Sequence, residues 1–457
     1  MKMEIDKNEN KIIRKKILSM ILPVTAENIL QMMAGFISMA MIGRIDAIAI
    51  GSLGISNRIT QIVWALFKGI ATGASVFVAQ AYGANDNEKL RKVAQQTIMS
   101  SVILVLVLQQ ILFWNASYFL KIFNPSPSLL QNGTIHLRTV SWGLPFLTIV
   151  LIVAGILQGM GNAKTPMKIA LIMNFLNVLF GYTFIFGHFG LKPMGIQGAA
   201  LATVLSQAIA AILGLWVLYS KDGVLSNSLG TNSFKLDRKE VFSIYKVGMP
   251  TSLESIFWQL AAIIITKVIL SYGEVAFAAY QLGLQAESIS YMPAAGFGVA
   301  ATTFIGQSLG SGNREMGKKY LKQLTIGTFI ITIFTGGALI FFPRQIMRIL
   351  TKDEEVIKIG IQYLFIMGFA QIPQNIAGVL NGALRGAGYT KVPMIVAGIG
   401  LWCIRIPFSL LMAYYFKKDI LALWIIIAID MTSRLITSYG IYKSKDIYSG
   451  ELLIEEH

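Results

Sequence analysis

Apolar runs of about twenty residues, each long enough to cross a bilayer, recur along the whole chain between short polar and basic blocks. Read as crossings, they fall near residues 17–42, 48–80, 93–116, 135–158, 166–187, 196–219, 242–271, 276–308, 320–342, 356–383, 393–416 and 420–442. Six lie in each half. The halves also share one text: Leu157-Gln158-Gly159-Met160-Gly161 through Lys164 and Pro166 returns as Leu384-Arg385-Gly386-Ala387-Gly388 through Lys391 and Pro393, 227 residues on, the distance from Lys164 to Lys391. The same offset relates Pro23 to Pro250, Glu27 to Glu254, Gln80 to Gln307, Gly83 to Gly310 and Gly155 to Gly382. In both copies an apolar run ends, two glycines stand two residues apart, a lysine follows, and the pattern restarts at proline. This predicts helix, tight basic turn, helix, with Pro at the first helical position, where its missing N–H costs nothing. An even number of crossings per copy makes the repeat parallel, related by an axis along the membrane normal. The expected fold is an all-α integral membrane protein of twelve transmembrane helices in two six-helix lobes.

Composition agrees: 54% of residues are hydrophobic and 14% charged over 457 residues, which excludes a soluble globular chain. The net charge of +16 sits in blocks between apolar runs, so it reports topology and does not imply a nucleic-acid partner. With the N-terminus inside, inner segments hold roughly 24 Lys and Arg against about 10 outside. Both termini are therefore expected in the cytoplasm, in a multi-pass protein of the cytoplasmic membrane, with no cleavable signal peptide. Lys221–Glu240, rich in Gly and Ser, is the one linker-like stretch; it divides an N-lobe, 1–220, from a C-lobe, 241–457. The single cysteine, Cys403, excludes an internal disulfide and is expected to be a small core residue.

A proline-opened first span ending in Gly43, Gln80…Gly83…Glu88, Leu384-Arg385-Gly386…Pro393, Arg405-Ile406-Pro407 and Asp430…Arg434 together resemble the multidrug and toxic compound extrusion (MATE) family. The resemblance covers essentially the whole chain. It implies two six-helix bundles around a V-shaped cavity and an antiporter that exchanges Na⁺ or H⁺ for bulky, often cationic organic molecules. Two acid sets of that family are not kept. Ser38 stands where some members have an Asp in span one, and Gly181 where an acid follows the Asn matched by Asn177. Gln374 replaces an acid in span ten, and Trp258 a Glu in span seven.

Ionisable residues inside spans cost at least ~2.5 kcal/mol near the bilayer centre, so each needs a partner or a function. Glu27 and Glu254 lie one helical turn after Pro23 and Pro250, whose missing N–H leaves carbonyl oxygen nearby for a cation. Lys68 in span two reaches a depth similar to that of Glu27 and is expected to pair with it. Its repeat mate is Ala295, so Glu254 is expected to lack an equivalent partner and is the first candidate for the coupling carboxylate. Asp430 and Arg434 are four apart and expected to pair along one face; Arg405 is within reach of Asp430 or Glu254, as a structural network or a proton relay. Asn57 and Gln61 share a side of span two with Lys68, Asn174 joins Asn177 on span five, and Gln374 and Asn375 flank Pro373 beside Gln371. Interhelical hydrogen bonds and a substrate cavity are both open to these amides.

Three histidines without ligand spacing and no phosphate-binding loop argue against an enzyme. No cofactor or bound metal is expected beyond the coupling Na⁺ or H⁺, and the partners expected are small organic substrates and the bilayer, for a monomer. The competing function is a flippase for a lipid-linked or amphipathic metabolite, whose anionic headgroup calls for several unpaired cations at membrane depth.

Overall fold

The computed structural model describes residues 2–44, 47–226, 235–448 and 452–454. The centre of the expected linker, residues 227–234, lies outside the described residues. The described chain is helical: α1 (Lys2–Gly43), α2 (Ala47–Gly83), α3 (Asn87–Lys121), α4 (Pro127–Ser141), α5 (Leu144–Gly159), α6 (Lys164–Phe186), α7 (Gly195–Tyr219), α8 (Arg238–Leu270), α9 (Glu274–Gly310), α10 (Arg314–Phe341), α11 (Pro343–Leu350), α12 (Glu354–Gly386), α13 (Lys391–Gly398), α14 (Ile406–Leu410) and α15 (Ile420–Ser444). Among the described residues, eleven helical stretches are long and apolar enough to cross a membrane, and α4 with α5 makes a twelfth.

That fourth crossing differs from the continuous run expected at 135–158. It starts at Pro127 and bends by 51° between Ser141 and Leu144, because Pro145 cannot donate to Ser141 and its ring displaces that carbonyl. The eleventh crossing is irregular too. It passes from α13 into π-helical turns at Ile399–Arg405 and Leu411–Tyr415 on either side of α14, where Pro407 leaves a carbonyl without its helical donor and the wider turn takes up the slack.

The turns between repeats of helix follow the sequence closely. Gly161 and Gly388 take φ of 86° and 87°, a left-handed conformation that glycine adopts without a Cβ clash. Asn162 N donates to Leu157 O at 2.8 Å and Gly161 N to Gln158 O at 2.9 Å; in the second copy Tyr389 N reaches Leu384 O at 2.9 Å and Gly388 N reaches Arg385 O at 2.8 Å. These paired bonds form a helix-ending Schellman motif. Pro166 and Pro393 fall at the third helical residue rather than the first, still inside the turn whose N–H groups have no helical acceptor.

The chain divides into two compact units. The N-terminal unit comprises Ala26–Val78 and Asp86–Ser252; the C-terminal unit comprises Leu253–His457 with Met1–Thr25 and Ala79–Asn85. Lipid is as apolar as a leucine side chain, so helices here associate through close packing and hydrogen bonds rather than through removal from water. In the N-terminal unit a Cβ on Gly155 or Gly159 of α5 would run into Ala71 O or Ser75 O of α2; in the C-terminal unit a Cβ on Gly382 or Gly386 of α12 would run into Gly298 O or Thr302 O of α9. The two pairs of contacts are repeat mates, so the 227-residue offset is kept in three dimensions, contact for contact. The C-terminal unit also buries Trp424, Tyr363 and Tyr280 as one aromatic cluster, with Tyr280 stacked on Trp424 and Tyr363 edge-on to Trp424 at a centroid distance of 4.8 Å.

Candidate functional site

Each unit holds polar side chains within its helices. In the N-terminal unit α1, α2 and α4 to α7 enclose a cavity of about 350 Å³. Asn57 and Gln61 of α2, one helical turn apart, line it together with Asn174, Asn177, Trp64 and His136. Ser38 Oγ donates to Asn177 Oδ1 at 3.1 Å, and Asn177 Nδ2 donates to Thr203 Oγ1 at 3.2 Å. That neutral chain stands where the family resemblance implies carboxylates at Ser38 and Gly181. No Asp, Glu, Lys or Arg is among the described residues lining the cavity. His136 is buried, with its Nδ1 unpartnered.

Glu27 and Lys68 stand outside that lining. Glu27 is half-buried and accepts from Gln158 Nε2 at 3.5 Å. Lys68 is near enough for its charge to act on Glu27, but among the described residues no ion pair joins them. The pairing expected from matched depth is therefore corrected to a through-space interaction, because depth fixes a side chain's height and not its direction around the helix.

In the C-terminal unit Glu254 has a basic partner, contrary to the expectation that it stands alone. Arg385 Nη2 donates to Glu254 Oε1 at 2.8 Å and Oε2 at 2.6 Å. The residues are 131 positions apart, as Glu27 and Gln158 are, and Arg385 is the repeat mate of Gln158. Arg385 belongs to the turn motif and reads in sequence as a topology signal. Its long stem instead carries the guanidinium back along α12 to the carboxylate.

Asp430 is fully buried and holds two arginines. Arg434 Nε donates to its Oδ1 at 2.8 Å and Arg434 Nη2 to its Oδ2 at 2.6 Å, and Arg405 Nε donates to Oδ2 at 2.7 Å. Both guanidinium carbons lie over the Trp258 ring, 5.3 Å and 4.3 Å from its centroid for Arg405 and Arg434. The residue that replaces an acid in span seven thus offers the arginines an aromatic face, which attracts cations electrostatically. Gly400 makes room for this cluster, since a Cβ there would strike Asp430 and Arg434.

Glu287 did not stand out in the sequence. It lies midway along α9 and is buried, accepting from Tyr363 Oη at 2.6 Å and Gln371 Nε2 at 2.7 Å. The signal available was an acid in the middle of the eighth apolar run. Asn375 donates to Ser290 and Thr332 at 3.3 Å and 3.1 Å, so it tethers three helices. Gln374 is half-buried and its Oε1 has no donor.

A multi-pass helical protein with two repeat-related halves and polar groups inside each is built as many membrane transporters are. The MatE family model matches residues 23–183 and again 250–411, its two matches opening on the mates Pro23 and Pro250, and the chain belongs to this family of membrane transporters. It is 30% identical over 432 residues to a probable multidrug resistance protein NorM of Thermotoga maritima, covering 94% of this chain and 92% of that one. It is 25% identical over 431 residues to the probable multidrug resistance protein YoeA of Bacillus subtilis, covering 93% and 92%. A MOP superfamily transporter from Pyrococcus furiosus shares the fold with a TM-score of 0.87 at 19% identity, over 94% of this chain and 95% of that one.

Proposed function

We propose that the chain is an antiporter of the cytoplasmic membrane that exports bulky, often cationic organic molecules in exchange for Na⁺ or H⁺, with both termini in the cytoplasm. The observation that carries this reading is the N-terminal cavity, whose amides and aromatic and thioether side chains suit the size and varied shape of such substrates. Its relatives' names as multidrug resistance proteins support the same substrate class. The repeat-based lobes, 1–220 and 241–457, would then be the two moving halves, joined through 221–240. The flippase reading calls for uncommitted cations at membrane depth, whereas Arg385, Arg405 and Arg434 each hold a carboxylate.

The test is a proteoliposome assay with the purified chain. An imposed Na⁺ or H⁺ gradient is expected to drive efflux of an organic cation such as ethidium. Indifference of efflux to both gradients, combined with gradient-independent lipid translocation, removes the exporter reading.

A further inference from the structure

Between Val93 and Ala163 the sequence holds two charged side chains, Lys121 and Arg138, both basic, and no acid. Arg138 is exposed on α4. His136 and Val140, which line the N-terminal cavity, are each about 200° around the helix from it, so Arg138 faces the bilayer side. Two rulers fix its level. From Thr139 to Gln158 twenty residues carry no charge, about 30 Å of helix and one hydrocarbon thickness. On α3 the same length counted from Val93 ends at Leu112, beside Phe113, and Phe113 is the residue that Arg138 meets. Arg138 Nε donates to Phe113 O at 3.2 Å, and its guanidinium carbon lies 5.8 Å from the Phe113 ring centroid. The two counts agree, which puts Arg138 at the edge of the hydrocarbon, level with the headgroups of the leaflet nearest the Lys121 end of α3.

The guanidinium is held in place and left incomplete. α3 departs from helical geometry at Asn115, with φ −105° and ψ 18°. Beside this kink Asn115 Nδ2 takes up Ile111 O at 2.9 Å and Arg138 Nε takes up Phe113 O, so both carbonyls are met and the arginine is anchored. Its two Nη groups have no acceptor among the described residues, and no carboxylate there pairs with it. Trp114 and Trp142 meet Phe113 edge-on at centroid distances of 5.4 Å and 5.7 Å. They are 71% and 53% exposed, as befits indoles at a membrane–water interface. The second copy shows that the fold does not require the cation. At the 227-residue offset the mates of Trp114 and Trp142 are Phe341 and Phe369, again aromatic and exposed, whereas the mate of Arg138 is Phe365.

We propose that Arg138, flanked by Trp114 and Trp142, is a binding site for the headgroup phosphate of an anionic phospholipid. A guanidinium fork matches two phosphate oxygens, and with Nε given to Phe113 the two Nη groups are the donors left for that contact. An arginine without a carboxylate calls for a ligand of net negative charge. Phosphatidylglycerol has one; zwitterionic phosphatidylcholine does not. The indole rings offer apolar faces to the glycerol backbone and the first acyl carbons. Because the site lies across α4 from the cavity, the inference does not rest on the exporter reading above.

The full purified chain in phosphatidylcholine vesicles tests this through quenching of tryptophan fluorescence by lipid brominated on its acyl chains. The contribution of Trp114 and Trp142 is taken as the difference from a Trp114→Phe, Trp142→Phe chain, in which Arg138 is kept. In the wild type, brominated phosphatidylglycerol is expected to reach these two indoles with a preference of about fivefold over brominated phosphatidylcholine, the gain of one basic residue near anionic lipid. Arg138→Gln is expected to bring the two lipids within about twofold, and Arg138→Lys, which keeps the charge, to retain most of the preference. Ile135→Glu sets a carboxylate one turn from Arg138 and is expected to remove the preference with the arginine still present, so the test stands even where Arg138→Gln fails to fold. A preference that survives both Arg138→Gln and Ile135→Glu, or none in the wild type, overturns the proposal. So does its displacement by millimolar inorganic phosphate, which would make the ligand a free anion.

Discussion

Arg385 grips both carboxylate oxygens of Glu254, at 2.8 Å and 2.6 Å. Its repeat mate Gln158 makes one bond, of 3.5 Å, to Glu27. The duplicated backbone has kept the approach of these positions while the means of balancing the acid has changed. In the first copy a cation, Lys68, lies on α2 and acts from a distance; in the second, its mate is Ala295 and the cation has moved to the partner position itself. The following outcomes are expected.

Arg385→Gln converts the second copy to the chemistry of the first without a Lys68 equivalent, leaving Glu254 poorly compensated. The loss of stability is expected to be about 2 kcal/mol, below that of a fully buried pair because Glu254 keeps some solvent access. Adding Glu254→Gln should recover most of it. Thermal unfolding in detergent of both singles and the double variant measures the coupling, and strict additivity would show that the pair contributes nothing.

Asp430→Asn removes the negative charge that Arg405 and Arg434 share and turns one of its two acceptor oxygens into a donor. Two buried guanidinium groups then face each other over Trp258, and the expected cost is about 3–5 kcal/mol. Gly400→Ala should damage the same cluster sterically, because its Cβ enters the space of Asp430 and Arg434. Expression yield and thermal stability read both, and near-wild-type behaviour of Asp430→Asn contradicts the ion-pair assignment.

Asn177→Asp places a carboxylate in a cavity whose described lining is without charge. Binding of an organic cation is expected to tighten by about tenfold relative to a neutral analogue of the same shape, as one close charge interaction permits. Fluorescence titration of the matched pair checks this; an unchanged preference means that the substrate does not approach Asn177.

Acid should loosen the segment that enters α8. Asp237 bonds Lys92 at 2.6 Å, and this hydrogen bond, with help from the backbone N–H groups of Glu240 and Lys239, holds its carboxyl below the usual range. A depressed carboxyl contributes stability that is present above its unfolded value, near 3.8, and lost as pH falls through the lower folded value. The hydrogen-exchange protection factor at residues 235–240, the rate corrected for its intrinsic pH dependence, is therefore expected to fall toward pH 3 in the wild type, with Asp237→Asn showing lower protection already at neutral pH and a flatter response to acid.

With Cys403 replaced by Ser, a cysteine at Lys418 is expected to react with an impermeant maleimide from outside intact cells, and one at Asp222 only after permeabilisation. The reverse pattern would invert the topology derived from loop charge.

Local spacing was enough for part of this protein. The apolar runs and the 227-residue offset between Lys164 and Lys391 specify membrane helices written twice, because a backbone in lipid must satisfy its own hydrogen bonds within each segment. Gly161 and Gly388 mark left-handed helix ends, and Asp430 with Arg434 pairs at a separation that the helix itself brings together. Tertiary structure decided the rest. Whether Glu254 meets Arg385, whether Lys68 touches Glu27, and whether Glu287 finds Tyr363 and Gln371 or an arginine depend on how each helix is rotated and how far a side chain reaches. Those quantities are set by the packing of α2 on α5 and α9 on α12, through glycines whose contacts lie on another helix, and no local period along the chain encodes them.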